Sequence, residues 1–175
     1  MELSEMIIQT GLIFLAAFIG IPAGFWLQHY INKTSLKEQK IQLLQFIHHN
    51  LSDNKRLVEQ IGRELNPSSI TYYPLDLQAW PYIAGQIAIL EDWQIADKIQ
   101  RAYYELAHLE RKIDKQFELA YAPVPQNPTY PQMQANVGAM RGELISSGII
   151  PHTITIKNSL QGLLKEIDSK RQGLE

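Results

Sequence analysis

The stretch that decides the fold is residues 44–65, LQFIHHNLSDNKRLVEQIGREL. Seven of its positions alternate at intervals of three and four, and we call them the seam: Leu44, Ile47, Leu51, Asn54, Val58, Ile61 and Leu65. This spacing predicts a long helix with one buried face. The polar Asn54 could fix the register of a coiled coil between two chains. In a chain of 175 residues we favour packing of the seam on neighbouring helices of the same molecule.

More helices are expected after the seam. Asp76 can cap a short helix that reaches Leu90, and Asp92 can cap a long one. The long helix repeats apolar residues at three and four positions: Ile95, Ile99, Ala102, Leu106, Leu109, Ile113, Phe117 and Ala120. With residues 35–121 in such helices, we predict an all-α fold, a helical bundle with long antiparallel amphipathic helices.

The C-terminal part begins with a proline-rich stretch. Residues 122–131 read APVPQNPTYP and predict an extended linker, a spacer rather than a ligand for a proline-binding domain. Residues 132–175 are expected to form helices that pack on the bundle. We expect Pro151 to interrupt them between a weak, glycine-diluted helix and a final amphipathic one.

On the N-terminal side of the seam lies an apolar segment. Residues 7–27, IIQTGLIFLAAFIGIPAGFWL, carry no charge, and as a helix their length of about 31 Å matches one bilayer crossing. The residues before them contain no Lys or Arg, which favours an uncleaved anchor over a signal peptide. Residues 1–34 are therefore predicted to be a transmembrane anchor. A capping-box pattern, Ser35 to Glu38, predicts a new helix or a break after it.

The charges around the anchor predict its orientation. All 16 Lys and Arg residues lie at or after Lys33, so we expect a single-pass protein of the cell inner (plasma) membrane with its N-terminus outside and its C-terminal domain cytoplasmic. Four residues are expected at the membrane interface: Trp26, His29, Tyr30 and Lys33. Three small residues at intervals of four could let two anchors associate, unless Pro22 kinks the helix instead: Ala16, Gly20 and Gly24.

The composition excludes several classes of function. Sixteen basic against 18 acidic residues give a net charge of −2, which argues against a general nucleic-acid binder. The absence of cysteine excludes disulfides, thiolate metal sites and cysteine nucleophiles. The motifs typical of nucleotide-binding loops, zinc proteases, α/β-hydrolases and EF-hands do not occur.

A metal site is weighed and not favoured. His49 and Asp53 are spaced to place two ligands on one helix face, but the further ligands would be His108 or His152, which are distant in sequence. A polar helix face beside the seam is the favoured explanation of the pair, so we expect no metal and no cofactor.

Aromatic residues near Pro74 and Pro81 offer another candidate site. They could line a ligand pocket, although closing the bundle is the favoured use: Trp80, Tyr72 and Tyr82.

One set of positions carries a resemblance: Ala79-Trp80, Leu90-Glu91-Asp92 and Ala102-Tyr103-x-x-Leu106-x-x-Leu109. With the anchor, and over about residues 40–117, the chain resembles small prokaryotic membrane proteins of unknown function. The resemblance implies one N-terminal anchor followed by a cytoplasmic helical domain, and it implies no catalytic residues.

From these observations we expect a non-enzymatic, membrane-anchored protein that serves as an interaction scaffold or accessory subunit at the cytoplasmic face. Its partners would be the bilayer and another protein or a second copy of itself, with no nucleic acid. The alternative is an oligomerising transmembrane effector, whose cytoplasmic domain senses a signal and perturbs the membrane. An enzyme built around the histidines or the aromatic cluster is a third possibility.

Overall fold

In the described part of the chain, all regular secondary structure is helical. The computed structural model describes residues 3–66, 73–121 and 130–175, with side chains for residues 26–66, 73–121 and 135–175. Five α-helices follow one another: α1 (Leu3–Glu64), α2 (Ala79–Gln86), α3 (Trp93–Tyr121), α4 (Tyr130–Glu143) and α5 (Ile150–Leu174). A 3-10 turn, Ile87–Leu90, continues α2, and a π-helical turn, Leu144–Ile149, joins α4 to α5. The all-α fold expected from the sequence is confirmed.

The chain divides into two compact units, Met1–Lys40 and Ile41–Glu175. The first contains the beginning of α1, whose side chains from Trp26 to Ser35 are all exposed. The second unit holds the hydrophobic core, to which α1, α2, α3, the π-helical turn and α5 all contribute.

The seam lies in the core of the second unit, where all seven of its side chains are buried. Each buried leucine or isoleucine stabilises the fold by about 1.5–3 kcal/mol relative to an exposed one. The partners lie in the same chain, since Asn50 of α1 bonds Tyr103 of α3 and Gly62 of α1 lies against Thr153 of α5. Intramolecular packing therefore accounts for the burial of this helix face.

Two aspartates accept hydrogen bonds from backbone N–H groups near the helix starts that the sequence predicts. The Oδ1 atom of Asp92 accepts hydrogen bonds from the backbone N–H groups of Gln94 at 3.1 Å and Ile95 at 3.2 Å, which caps α3. Asp76 Oδ1 accepts from the N–H of Gln78 at 3.2 Å, just before α2 begins.

The capping-box pattern at Ser35 starts no helix, because α1 runs through it without interruption. A cap is needed only where backbone N–H groups lack a carbonyl partner, and in a continuous helix they bond the residue four positions earlier. The Oγ atom of Ser35 instead accepts a hydrogen bond from Gln39 Nε2 at 3.4 Å.

Pro151 does not interrupt the C-terminal helices as expected. The proline lies in the first turn of α5, where its missing N–H and fixed φ angle are tolerated. The preceding π-helical turn widens the helix, and two serine hydroxyls donate to nearby carbonyls there: Ser146 Oγ to Gly142 O at 2.8 Å and Ser147 Oγ to Glu143 O at 2.6 Å. The helix can therefore pass the proline and continue to Leu174.

Among the residues whose side chains the structure describes, no helix combines the length and the apolar character that a bilayer crossing requires. The predicted span of residues 7–27 lies outside those residues, except for Trp26 and Leu27. The predicted linker also lies outside the described residues, apart from Tyr130 and Pro131, where the backbone opens α4.

Candidate functional site

The predicted interface residues lie together on an exposed stretch of α1. Trp26 is 69% exposed and Tyr30 is 59% exposed, and their rings stack with centroids 6.0 Å apart. His29 and Lys33 are exposed as well. Large exposed apolar side chains in such density are typical of surfaces that contact lipid or protein. The predicted association residues lie outside the described side chains: Ala16, Gly20 and Gly24.

A buried polar network surrounds the one polar residue of the seam. Asn54 Oδ1 accepts from the backbone N–H of Asp76 at 2.8 Å, and Asn54 Nδ2 donates to the carbonyl of Asp76 at 3.0 Å. Asn50, one turn earlier, donates from Nδ2 to Asp76 Oδ2 at 2.7 Å. The hydroxyl of Tyr103 donates to Asn50 Oδ1 at 2.5 Å. The amide of Asn54 thus ties α1 to the segment before α2.

The electrostatics of this network keep the tyrosine neutral. Burial, and then the negative charge of Asp76, raise the pKa of Tyr103 well above its usual range. A neutral phenol keeps its proton and remains a hydrogen-bond donor to Asn50. The network therefore holds α1, α3 and the segment before α2 together through hydrogen bonds, with the tyrosine in its neutral form.

The described members of the predicted aromatic site, Trp80 and Tyr82, contact different partners. Trp80 stacks on Tyr103 with ring centroids 5.0 Å apart. Tyr82 is exposed and lies edge to face with Phe46 of α1 at 5.2 Å. The two rings thus serve separate contacts, and Tyr72 lies outside the described residues.

A second polar site, which we call the histidine cluster, consists of Glu105, His108 and His152. The spacing of three places Glu105 and His108 on one face of α3, and His152 comes from the first turn of α5. His152 Nε2 lies 2.7 Å from Glu105 Oε2, and the two histidine rings lie edge to face with centroids 5.3 Å apart. One donor atom from each of the three residues lies within 4.8 Å of the others.

Lys112 completes the surroundings of His152. Its Nζ donates to the carbonyl of Gly148 at 3.2 Å and lies 3.3 Å from His152 Nδ1. Because an ammonium group only donates, Nδ1 accepts, and the ring proton is assigned to Nε2, which donates to Glu105. Lys112, His152 and Glu105 thus form a hydrogen-bonded chain between α3 and α5.

The position of His152 differs in exposure from that of its partner. The side chain of His152 is 12% exposed, whereas that of Glu105 is 47% exposed. One edge of the cluster is therefore fixed by packing, and the other is open to solvent. Such an arrangement can clamp two helices, pass a proton, or supply three ligands to a metal ion.

The structure does not assemble the metal site weighed from the sequence. His49 Nε2 lies 3.4 Å from Asp53 Oδ2 on a strongly exposed face, with the His49 side chain 80% exposed. In the part of the chain whose side chains are described, the one group of three possible ligands combines His108 and His152 with Glu105 instead. The Glu-x-x-His spacing of Glu105 and His108 is the sequence signal that could have indicated it.

Comparisons of the chain with protein-family models, with curated proteins and with solved structures found no match.

Proposed function

We propose that the protein is a non-enzymatic, membrane-anchored scaffold or accessory subunit. In this proposal residues 7–27 cross the inner membrane once, and the helical unit of residues 41–175 binds another protein, or a second copy of the chain, at the cytoplasmic face.

The observation that carries the proposal is the exposed apolar surface of α1 at the end of the uncharged segment and just beyond it. Trp26, Leu27, Tyr30 and Ile31 are all more than half exposed. Aromatic side chains prefer the boundary between lipid and water, and positive charges favour the cytoplasmic side. The first lysine of the chain, Lys33, follows this surface directly, which supports the proposed orientation.

The second unit supports the binding role. Its core is apolar and its central polar network is internally hydrogen-bonded. Three large aromatic side chains nevertheless remain well exposed: Trp93, Tyr104 and Tyr121. Exposed aromatic residues are enriched where proteins bind one another, because they bury a large area at low entropic cost.

A second candidate function is an oligomerising effector that perturbs the membrane. The small residues Ala16, Gly20 and Gly24 favour it, since they would let two anchors approach closely. Changing Gly20 and Gly24 to Leu would then reduce the mass of the oligomer that the full chain forms in detergent. The same change would abolish any growth arrest on overexpression. An unchanged mass argues for the scaffold.

The absence of cysteine allows a direct test of the anchor and its orientation. Full-length chains carrying either Ser4→Cys or Ser169→Cys are expressed in bacterial cells and exposed to a membrane-impermeant maleimide. We expect Ser4→Cys to be labelled in intact cells and Ser169→Cys only after the inner membrane is permeabilised. Both proteins should stay in the membrane fraction after an alkaline carbonate wash.

Labelling of Ser169→Cys in intact cells would contradict the proposed orientation. Release of the chain by the wash would contradict the proposal that residues 7–27 anchor it. A matched variant, Leu15→Arg with Ile19→Arg, places two charges in the middle of the segment and should fail to insert. For the binding role, crosslinking in membranes should recover a specific partner or a second copy, and a chain that is monomeric and uncrosslinked argues against it.

A further inference from the structure

We propose that the histidine cluster binds one divalent transition-metal ion, Zn²⁺ or an ion of similar chemistry. The ligands are Glu105 Oε, a ring nitrogen of His108 and Nε2 of His152. Two imidazoles and one carboxylate suit Zn²⁺, Co²⁺ or Ni²⁺, whereas Mg²⁺ and Ca²⁺ prefer oxygen ligands alone. This site is independent of the anchor and of the scaffold role.

The distances are close to those a metal needs. Ligand atoms about 2.1 Å from a tetrahedral zinc ion lie about 3.4 Å apart. The donor atoms of the cluster already lie within 4.8 Å of one another. His152 Nε2 and Glu105 Oε2, 2.7 Å apart, must separate slightly to admit the ion, and the ring of His108 must approach. The side chains of His108 and Glu105 border solvent, so small rotations allow both changes.

The fold holds the third ligand in place. His152 lies between Pro151, in the first turn of α5, and Thr153, which is buried. The π-helical turn lies directly before α5, and the packing of α5 on α3 brings His152 to Glu105. A site with one packed ligand and two adjustable ones is partly preorganised and leaves at least one coordination position for water or for a ligand atom from a partner.

Lys112 opposes the metal in two ways. Its positive charge is next to the site, and it donates to His152 Nδ1, which keeps the ring proton on Nε2 where the metal would bind. A metal on Nε2 requires the proton on Nδ1, so Lys112 must give up this bond and keep only the carbonyl of Gly148. Lys112 should therefore weaken metal binding, and its removal should strengthen it.

The test is a titration of the full-length protein in detergent with Zn²⁺ by calorimetry and with Co²⁺ by its visible absorption. We expect one ion per chain and a Co²⁺ spectrum typical of four coordination. His108→Asn, at an exposed position that leaves the fold intact, should weaken binding by about tenfold or more. Lys112→Met should tighten it severalfold. His49→Asn removes the exposed pair with Asp53 and should leave the affinity unchanged.

Four results would overturn the site. The first is a Kd for Zn²⁺ weaker than about 100 µM, because protein zinc sites bind far more tightly. The others are an unchanged affinity in His108→Asn, a loss of binding in His49→Asn, and weaker binding in Lys112→Met. Far-ultraviolet circular dichroism of each variant shows that the helical content is kept. If His152→Asn misfolds, His108→Asn still decides the question.

Discussion

The side-chain amide of Asn54 makes the two hydrogen bonds that a neighbouring strand would make to the backbone of Asp76, one to its N–H at 2.8 Å and one to its carbonyl at 3.0 Å. Asn54 has no exposed surface. Its amide therefore satisfies both backbone polar groups of Asp76, in the segment before α2.

This relationship predicts the effect of making the seam fully apolar. Asn54→Leu restores the heptad pattern but removes both hydrogen bonds to the backbone of Asp76, at about 0.5–1.5 kcal/mol for each bond. We expect a lower free energy of unfolding, measured by denaturant titration of the full chain in detergent. Leu44→Met, a volume-conserving change on the same seam, should cost below about 1.5 kcal/mol. A more stable Asn54→Leu chain would contradict the role of the amide.

Gly62 and Gly162 provide a matched pair of substitutions. A Cβ at Gly62 would lie 2.9 Å from Thr153 Oγ1, whose side chain is 2% exposed and donates to Ile150 O at 2.7 Å. No atom comes within 4 Å of a Cβ at Gly162. Gly162→Ala should therefore stabilise by about 0.5–1 kcal/mol through helix propensity, whereas overpacking in Gly62→Ala should outweigh that gain by about 1 kcal/mol.

Thermal unfolding of the two alanine variants side by side measures this difference. Equal shifts of Tm in the same direction would mean that Thr153 yields without cost, which its burial argues against.

The pair of Asp92 and Lys170 predicts a pH window. The hydrogen bond and charge of Lys170, with the backbone N–H bond from Ile95, lower the pKa of Asp92, and the same pairing raises the pKa of Lys170. The lowered pKa of Asp92 stabilises the folded state at pH values above the pKa of an unfolded aspartate, near 4. This stabilisation is lost as the pH falls through the lower pKa of the folded state. The raised pKa of Lys170 stabilises the folded state below about pH 10.4, the pKa of an unfolded lysine. This stabilisation is lost as the pH rises through the higher pKa of the folded state.

Lys170→Met should therefore lower Tm slightly between about pH 4 and 10, with the difference from wild type closing at both extremes. The Lys170 side chain is 52% exposed and that of Asp92 is 24% exposed, so solvent screens the pair and the effect is small and shrinks in high salt. Lys165→Met, at another exposed lysine of α5, serves as the control and should show no such window. A difference that persists at pH values well below 4 would point to lost packing instead.

Glu110 predicts a change of the opposite sign. Partial burial, and then the charge of Asp114 one turn later, raise the pKa of Glu110. A raised carboxyl pKa means that the ionised form destabilises the fold, so this cost is present above the normal value near 4.3 and disappears below it. Glu110→Gln should raise Tm at neutral pH and lose that advantage in acid. Glu118→Gln removes the ion pair with Lys115 and should give no gain.

The features that depend on local periodicity could be predicted from the sequence. The seam and the cap at Asp92 each follow from residues a few positions apart. The contact of His152 with Glu105 spans 47 positions, and no spacing rule reaches that far. It depends on where α5 lies on α3, which the packing of both helices determines. The continuation of the helix past Pro151 depends on a π-helical turn, and no sequence signal in residues 144–149 predicts it.

That wide turn bears on how the chain tolerates a change in length. A π-helical turn accommodates one more residue than an α-helical turn, so deleting a single residue such as Gly148 can return the segment to ordinary α-helix without breaking it. Both kinds of turn complete one full rotation, so α5 would keep its phase relative to α4. His152 would still face Glu105, and Thr153 would still face Gly62. The extra residue of this turn is therefore one that the phase between the last two helices does not need.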